Sequence, residues 1–384
     1  MTLRPITPQP GNDLDPNNFV GRVAITERAR NHLINGTNLL LSDTRRMGKT
    51  FWLRTFAAEE KNFRCYFIDY EGVNTAEEFL LKTVRELTKE AKLPSRARKK
   101  IGTFFNNVNF EVSFKNVTLK HIFHQIPAHE LLNKTLSTLE EDESDLIPLV
   151  MMDEVPMAID NIAKEEGTDT AKQILHTLRE RRQNTRNVRW IITGSIGFHH
   201  VLRRIGATSG VLNDLTSLPL GPMPNNEAEE LALRLLLGVN QPENDGVIEE
   251  LVKLSGGIPF ILHKLVATLD QSNQTVFRPA NVRDCFEVFI DNTELFREFE
   301  HYKDRIPELY GEDTHIAKRL LTTCLSETNE WIHIERLIKD SSESTVLDTL
   351  IKDHYLEQTG NKVRWRYPTL QYIWARKERQ WDRK

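Results

Sequence analysis

The residues with the clearest chemical potential lie in the segment SDTRRMGKT, positions 42–50. An apolar run, NLLLS at 38–42, precedes it, and a helical pattern follows it. A loop between a buried strand and a helix directs backbone N–H groups and the helix dipole at one point, which suits a phosphate group. Gly48 permits close approach, Lys49 can reach terminal phosphates, and the Thr50 hydroxyl can bind Mg²⁺.

The loop departs from the usual phosphate-binding pattern at one position. The pattern has Gly five residues before Gly48, where this chain has Asp43. Asp tolerates positive φ better than most residues, so the turn can still form. Its negative charge is unhelpful near phosphates unless the side chain points away. A chance Gly-Lys-Thr at a helix start is the alternative interpretation, and the motifs that follow argue against it.

A second motif is the apolar run LVMMDEVP at 149–156, which ends in two acids. Asp153 is expected to hold the coordination shell of Mg²⁺, and Glu154 to polarise an attacking water as general base. Two acids at a strand–helix junction can also simply favour the helix N-terminus. Since a phosphate loop lies upstream, we interpret the pair as a hydrolytic site.

A third apolar run, WIITGS at 190–195, ends in small hydroxylated residues. We expect Thr193 or Ser195 to lie between the first two motifs and to touch the terminal phosphate or the water. The alternative is an ordinary strand-end turn at Gly194.

These motifs occupy strands that alternate with helical patterns, and the strands are apolar throughout. This order predicts an α/β fold with a parallel sheet that has helices on both faces. The period-two pattern VNFEVSF predicts a β-hairpin inserted at 103–120.

After residue 223 the pattern becomes helical, and near residue 313 a third unit begins. There DTHIAKRLLTTCLS, HIERLIKD and STVLDTLIKD predict three helices, and a hairpin is expected around Gly360. That order is typical of a winged helix. The predicted organisation is an N-terminal arm (1–17), a core (18–223), a helical lid (224–310) and a winged helix (311–384).

Five stretches give the sequence a family resemblance: NFVGR, RRMGKT, MMDE, IITGS and SGGIPF. Together they resemble the AAA+/STAND group of P-loop ATPases, in particular archaeal-type and prokaryotic members with GxRRxGKT loops. The resemblance implies ATP and Mg²⁺ as cofactors and homo-oligomers as the assembly. It also implies an ATPase that acts as a switch on DNA or a partner protein, in mobile-element or defence systems.

The resemblance carries over nucleotide contacts beyond the loop. They come from a box before the loop and from a Gly-x-Pro lid motif. The lid lacks the usual sensor arginine, for which His263 or Lys264 would be a weak substitute. The implied contacts are Phe19, Val20, Gly21, Arg22, Arg45, Arg46, Met47, Gly48, Lys49, Thr50, Phe51, Gly257 and Pro259.

An arginine from a neighbouring subunit can stabilise the transition state in such proteins. Arg203 and Arg204 follow the third motif in the expected region, and a solvated helix face is the alternative interpretation. Arg45 and Arg46 in the loop are the second option.

Charge is distributed unevenly. Residues 361–384 carry eight Lys or Arg against two Asp or Glu, a local charge of +6 within a chain of net charge −4. In VRWRY the aromatic residues are expected to face the core and the arginines solvent. Such a basic surface can contact DNA phosphates. The alternatives are a solvated basic surface or a winged helix that binds protein. The candidate DNA contacts are Lys362, Arg364, Arg366, Arg376, Lys377 and Arg379.

Other features narrow the functional class. The chain shows no run of about 18 apolar residues and no secretory-type apolar segment at its start. Three widely separated cysteines fit a reducing cytoplasm. The histidines at 121–124 and 199–200 have no ligand partners at metal-site spacing. The leading interpretation is an ATP-driven switch, and the alternative is a non-catalytic nucleotide-gated scaffold that holds an effector protein.

Overall fold

The structure is a computed structural model of the 384-residue chain. The residues that it describes are 3–11, 13–88, 127–141, 145–194, 197–272, 274–291, 305–326 and 329–381. The predicted hairpin at 103–120 and Ser195 lie outside these ranges.

The described residues form two units. The sheet unit comprises residues 23–42 and 49–220, and the helical unit comprises residues 1–22, 43–48 and 221–384. The phosphate loop therefore belongs to the helical unit, although the strand before it and the helix after it belong to the sheet unit. The predicted boundaries at residues 17, 223 and 310 stay a prediction.

The sheet unit contains a five-stranded parallel sheet with the order β2-β3-β4-β1-β5. Four consecutive residues of β3, Leu149 to Met152, are all fully buried. Because successive side chains on a strand point to opposite faces, both faces of the sheet are covered, as predicted. The strands are β1 Asn38–Ser42, β2 Phe63–Asp69, β3 Ile147–Asp153, β4 Arg189–Gly194 and β5 Leu215–Pro219.

Helices alternate with these strands. The start of α3 shows how the sequence fixes a helix boundary. The Thr75 hydroxyl accepts the Glu78 N–H at 3.1 Å, and the Glu78 carboxylate accepts the Thr75 N–H at 3.3 Å. This reciprocal capping satisfies two N–H groups that a helix start otherwise leaves unpaired. The helices are α1 Val23–Ile34, α2 Lys49–Glu59, α3 Ala76–Thr88, α4 Ala128–Ser137, α5 Val155–Glu166, α6 Thr168–Asn184 and α7 Phe198–Ile205.

The helical unit continues the chain after β5, and residues 305–310 are also helical. Asn244 caps α9 by accepting the Val247 N–H at 3.2 Å, which fixes one helix start. The helices are α8 Asn225–Gly238, α9 Asp245–Ser255, α10 Pro259–Asp270, α11 Pro279–Asp291, α12 Thr314–Thr323, α13 Ser341–Lys352 and α14 Pro368–Trp381.

The C-terminal part of the helical unit contains a three-stranded antiparallel sheet with the order β6-β8-β7. The predicted hairpin is present, and its turn contains Gly360 with φ 58°. The predicted helix HIERLIKD is wrong, because Ile332 and His333 pair with β8 and a short 3-10 turn follows them. The strands are β6 Ile332–His333, β7 Leu356–Thr359 and β8 Lys362–Trp365.

The N-terminal arm lies on α8 and α10. Ile6 is buried, and its N–H donates to the Arg234 carbonyl at 2.8 Å. The buried guanidinium of Arg234 in turn binds the carbonyls of Arg4 and Asn17, at 2.9 and 3.1 Å. Hydrogen bonds of the Arg234 carbonyl and guanidinium thus help to hold this Pro- and Asn-rich segment in place. Within the described ranges, no helix combines the length and apolar character that crossing a membrane requires.

Candidate nucleotide-binding site

The backbone of the loop at residues 43–48 contains two left-handed residues. Arg46 and Gly48 both adopt positive φ, 68° and 84°. A Cβ added to Gly48 would meet nothing within 4 Å, so the space beside it is open. Alternating left-handed residues make a concave backbone that suits anions. Lys49 then begins α2, which adds the positive end of the helix dipole.

The two residues proposed to hold a metal ion are adjacent in the sheet unit. The Thr50 hydroxyl donates to the Asp153 carboxylate at 2.6 Å. Lys49 is mostly buried, and its charge acts on the same carboxylate. A hydroxyl and a carboxylate oxygen are the hard ligands that Mg²⁺ prefers. These residues fit the divalent cation that the loop would require.

Burial dominates the electrostatics of this carboxylate. Asp153 is 1% exposed, and desolvation raises its pKa from 3.8 to about 6. The Thr50 hydrogen bond and Lys49 lower that pKa, while the neighbouring acids Glu154 and Asp69 raise it. Asp69 ends β2 in register with Asp153. A divalent cation would relieve this concentration of negative charge, so the acid cluster also fits the metal.

We expect Asp153→Asn to stabilise the metal-free chain at pH 7.5 by about 3 kcal/mol. Between the ordinary pKa of 3.8 and the folded value of about 6, the folded chain binds more protons than the unfolded chain. Stability is therefore fully present below this window and is lost as pH rises through it. Asn carries no charge and avoids that loss. Urea unfolding in EDTA at pH 4.5 and 7.5 checks this, and an equal effect of the substitution at both pH values would contradict it.

Glu154 has an unusual backbone. It is half-buried and left-handed, with φ 56° and ψ 29°, and it precedes α5. A residue with a Cβ loses roughly 1–2 kcal/mol in this conformation. Its side chain makes no capping hydrogen bond to the helix. Glu154 is thus a strained acid next to Asp153, and backbone strain of this kind often occurs at functional sites.

The third motif lies on β4, an inner strand of the parallel sheet. Strand β4 lies between β1 and β3, and Thr193 is opposite Leu41 of β1. The Thr193 hydroxyl is buried and has no hydrogen-bond partner among the described residues. A buried polar group in this state loses roughly 1–3 kcal/mol, so a bound ligand or water is the kind of partner it needs. Gly194 packs so tightly on Pro156 that a Cβ would come within 2.4 Å.

The box before the loop, residues 19–22, belongs to the helical unit. The Arg22 guanidinium donates to the Gly221 carbonyl at 2.7 Å and to the Met47 carbonyl at 3.3 Å. Its backbone N–H donates to the Glu227 carboxylate at 2.7 Å. Arg22 is buried, and desolvation lowers its pKa. These bonds attach the box to the loop backbone at Met47, a structural role that the sequence did not indicate.

The rest of the box is close-packed. Gly21 has φ 73°, and a Cβ there would collide with the Glu227 side chain at 2.6 Å. Val20 is buried and Phe19 is half-buried. The Glu227 contact was not predicted, although the acidic start of α8 offered a signal for it.

The lid motif also contacts the loop within the helical unit. Gly257 has φ 71°, and its carbonyl accepts the Met223 N–H at 2.8 Å. Pro259 begins α10. The next residue, Phe260, lies under the Arg46 guanidinium, which is 4.8 Å from the ring centroid. Arg46 therefore makes a cation–π contact inside the chain.

His263 does not replace the missing sensor arginine as a cation. Its Nδ1 accepts the Gln9 N–H at 3.2 Å. Burial lowers its pKa to about 4, although Asp13 opposes this shift. The imidazole is consequently neutral at physiological pH, and it serves to hold the N-terminal arm.

The candidate finger arginines are engaged within the sheet unit. Arg204 forms an ion pair with Asp160 on α5, and Asp160 also pairs with Lys164 at 2.8 Å. The Arg203 guanidinium lies 3.2 Å from the His200 Nδ1. Both arginines are exposed at the residue level. Use of Arg204 in a neighbouring site would require it to leave Asp160.

Two of the candidate basic side chains of the C-terminal part are paired with acids. Arg364 bonds Glu357 at 2.6 Å and stacks on Trp331 at 4.4 Å. Arg376 pairs with Glu287 at 3.3 Å. These contacts neutralise part of the +6 charge locally, so less of it is available to an external anion than composition indicates.

Arg366 does not face solvent, although the alternation in VRWRY predicts that it does. Its side chain is only 17% exposed, because β8 ends at Trp365 and Arg366 turns toward Asp43. The aromatic half of the prediction is confirmed, since Val363, Trp365 and Tyr367 are buried. Lys362 is exposed as expected, while Lys377 and Arg379 are part of α14.

Comparison with solved structures supports the fold. The Walker-type ATPase of Pyrococcus abyssi aligns with a TM-score of 0.60 and 19% identity, over 97% of this chain and 99% of that chain. The Aeropyrum pernix ORC2 protein aligns at 0.49 and 13% identity, over 97% and 98% of the chains. The Thermotoga maritima RuvB Holliday junction branch migration motor aligns at 0.41 and 12% identity, over 90% and 92%. The last two scores are too low to bear on the fold.

No protein-family model matches the chain, and no curated protein matches it. The fold assignment therefore rests on the strand order, the parallel registers and the likeness to the Pyrococcus ATPase. On these grounds the chain has the fold of that Walker-type ATPase, an α/β fold with a parallel sheet covered by helices.

Proposed function

We propose that the chain binds ATP with Mg²⁺ at residues 43–50 and hydrolyses it. One observation carries this proposal: the Thr50 hydroxyl at the start of α2 lies 2.6 Å from the buried Asp153 carboxylate at the end of β3. A hydroxyl–carboxylate pair in this position suits a divalent cation bound to phosphate. The open space beside Gly48 supports phosphate binding by the same stretch of chain.

Each residue would have a separate task. Lys49 and the loop N–H groups would bind the phosphates, and Thr50 and Asp153 would hold Mg²⁺. Bound Mg²⁺ would supply positive charge to the phosphate oxygens. Glu154 would accept a proton from the attacking water, and Thr193 or Ser195 would orient the water or the terminal phosphate. Arg203 and Arg204 remain the proposed finger residues, with Arg45 and Arg46 as the second option.

The resemblance supplies the remaining nucleotide contacts in this proposal. Phe51 on α2 and the box and lid residues already described would surround the base and the ribose. Homo-oligomers and the STAND subtype belong to the same proposal. Cys65, Cys285 and Cys324 form no disulfide in the part of the chain that the structure describes, which supports a reducing, cytoplasmic location.

The partner is proposed to be DNA or an effector protein. DNA contact would use the exposed Lys362 together with the basic residues of α14, since Arg366 is committed to Asp43. Binding that depends on such phosphate contacts weakens steeply with salt. A role in mobile-element or defence systems is the setting that the sequence resemblance favours.

Steady-state turnover tests the proposal directly. The full chain is assayed for ATP binding and hydrolysis in Mg²⁺ or EDTA, with and without duplex DNA at two salt concentrations. We expect Mg²⁺-dependent turnover. Absence of nucleotide binding under every condition would overturn the proposal. ATP binding without turnover would favour the nucleotide-gated scaffold. If DNA changes neither ATP binding nor turnover, an effector protein would be the favoured partner.

A further inference from the structure

The phosphate loop is attached to the helical unit through its side chains. Asp43, where this type of loop usually has glycine, has a fully buried carboxylate. One oxygen accepts the Gly221 N–H at 2.7 Å, and the other accepts the Thr44 N–H at 2.8 Å. The Tyr367 hydroxyl donates to the carboxylate as well. The carboxylate is thus turned into the protein by partners far away in sequence.

Positive charge stabilises this buried acid. The Arg366 guanidinium lies 3.5 Å from the Asp43 carboxylate and 3.2 Å from the His354 Nδ1. Burial acts to raise the pKa of Asp43, but His354, Arg366 and the donated hydrogen bonds outweigh it and hold the pKa below its usual value. The acid is therefore ionised, and its bonds from Tyr367 and Gly221 are charge-assisted.

Two more loop residues are held in the same unit. The Met47 carbonyl accepts from Arg22, and Arg46 stacks on Phe260. A Cβ on Gly11 would come within 2.6 Å of Arg46, so the N-terminal arm also confines this side chain. Because Arg46 and Gly48 require positive φ, the loop conformation needs such support.

We propose that Asp43, Tyr367 and Arg366 are positioning residues that hold the phosphate loop in its binding conformation through the C-terminal part of the chain. This inference rests on the proposed nucleotide site. None of the three needs to touch nucleotide. Their effect on affinity comes from the fraction of molecules whose loop is ready to bind, because apparent affinity falls with that fraction.

The test compares two buried tyrosines. Tyr367→Phe removes the hydroxyl that bonds Asp43. Tyr310→Phe removes a hydroxyl that donates to the Asp353 carboxylate at 2.6 Å in the same unit, a partner outside residues 43–50. Both tyrosines are buried, so the two variants make matched changes. We expect Tyr367→Phe to weaken binding of a fluorescent ATP analogue roughly tenfold, and Tyr310→Phe to leave it unchanged.

Asp43→Gly gives a second test, for which a loop-only site and a positioning role of Asp43 predict opposite changes in ATP affinity. It restores the glycine of the usual loop pattern, so a site built only from the loop backbone should bind ATP equally well or better. If Asp43 positions the loop, the variant should lose affinity roughly tenfold, since Gly221, Tyr367 and Arg366 lose their common partner. The double variant with Tyr367→Phe should be no worse than Asp43→Gly alone, because both changes remove one linkage.

Kinetics separates positioning from general instability. The positioning variants should raise KM for ATP with little change in kcat, since Asp153 and Glu154 are untouched. Should Tyr367→Phe fail to fold, hydrogen exchange in the wild-type chain still decides: ATP should slow exchange of the Gly221 amide, because coupling is reciprocal. A Gly221 amide that is insensitive to ATP would overturn the inference in that case.

The outcomes distinguish the two proposals. Equal ATP affinity of the two Tyr→Phe variants, or undiminished affinity of Asp43→Gly, would overturn the positioning role while leaving the ATPase proposal intact. A wild-type chain that binds no nucleotide would overturn both.

Discussion

Glu154→Gln is expected to lower the ATP turnover number by about 10²–10⁴-fold, the usual contribution of a general base, while ATP affinity is retained. The amide has nearly the same shape as the carboxylate but cannot accept a proton from water. Both side chains suffer the same strain in the left-handed conformation, so we expect no change in the free energy of unfolding. Turnover and ATP-analogue binding are measured on the same preparations.

The matched control is Glu165→Gln on the exposed part of α5, which makes the same chemical change and should leave turnover as in the wild type. Retained turnover in Glu154→Gln would exclude Glu154 as the base. Loss of both binding and turnover would instead indicate a structural role for the residue.

The second large effect is expected from Lys49→Ala. Charged hydrogen bonds contribute up to about 3 kcal/mol each, so removing Lys49 should weaken ATP binding roughly 100-fold or more. The effect should exceed that of losing a surface charge, because Lys49 is mostly buried at the start of α2 and an anion there is poorly screened.

Equilibrium binding of an ATP analogue measures this change, with Lys61→Ala as the control. Lys61 is exposed just beyond α2, so its removal alters net charge equally. Similar affinities for the two variants would place the phosphates elsewhere. Because Lys49 also lowers the Asp153 pKa, its loss should extend the pH range over which Asp153 stays protonated.

Features with a local cause were predictable from sequence. Strand β1 was predicted at residues 38–42 and is observed there, because an apolar run between two polar residues leaves little choice of register. The parallel sheet followed from strands that are apolar on both faces. The positions of Asp153 and Glu154 followed in turn, since they come directly after such a strand.

Features with distant causes were not predictable. The partner of Asp43 is Tyr367, 324 residues away, and no local pattern links them. The outward face assigned to Arg366 failed for the same reason. His263 was considered as a cation, but its neutral state depends on burial beneath the N-terminal arm. Strand β6 has only two residues, too few for a periodic signal.

The attachment of Asp43 to Tyr367 also limits how such a chain can evolve. A C-terminal segment joined only by a linker can be exchanged between proteins as a module. Here the segment supplies the donors that a buried carboxylate in the phosphate loop requires, so a replacement without them would leave that acid unpaired. Recombination after residue 223 should preserve ATP affinity only when the incoming segment carries a hydroxyl and a cation for Asp43.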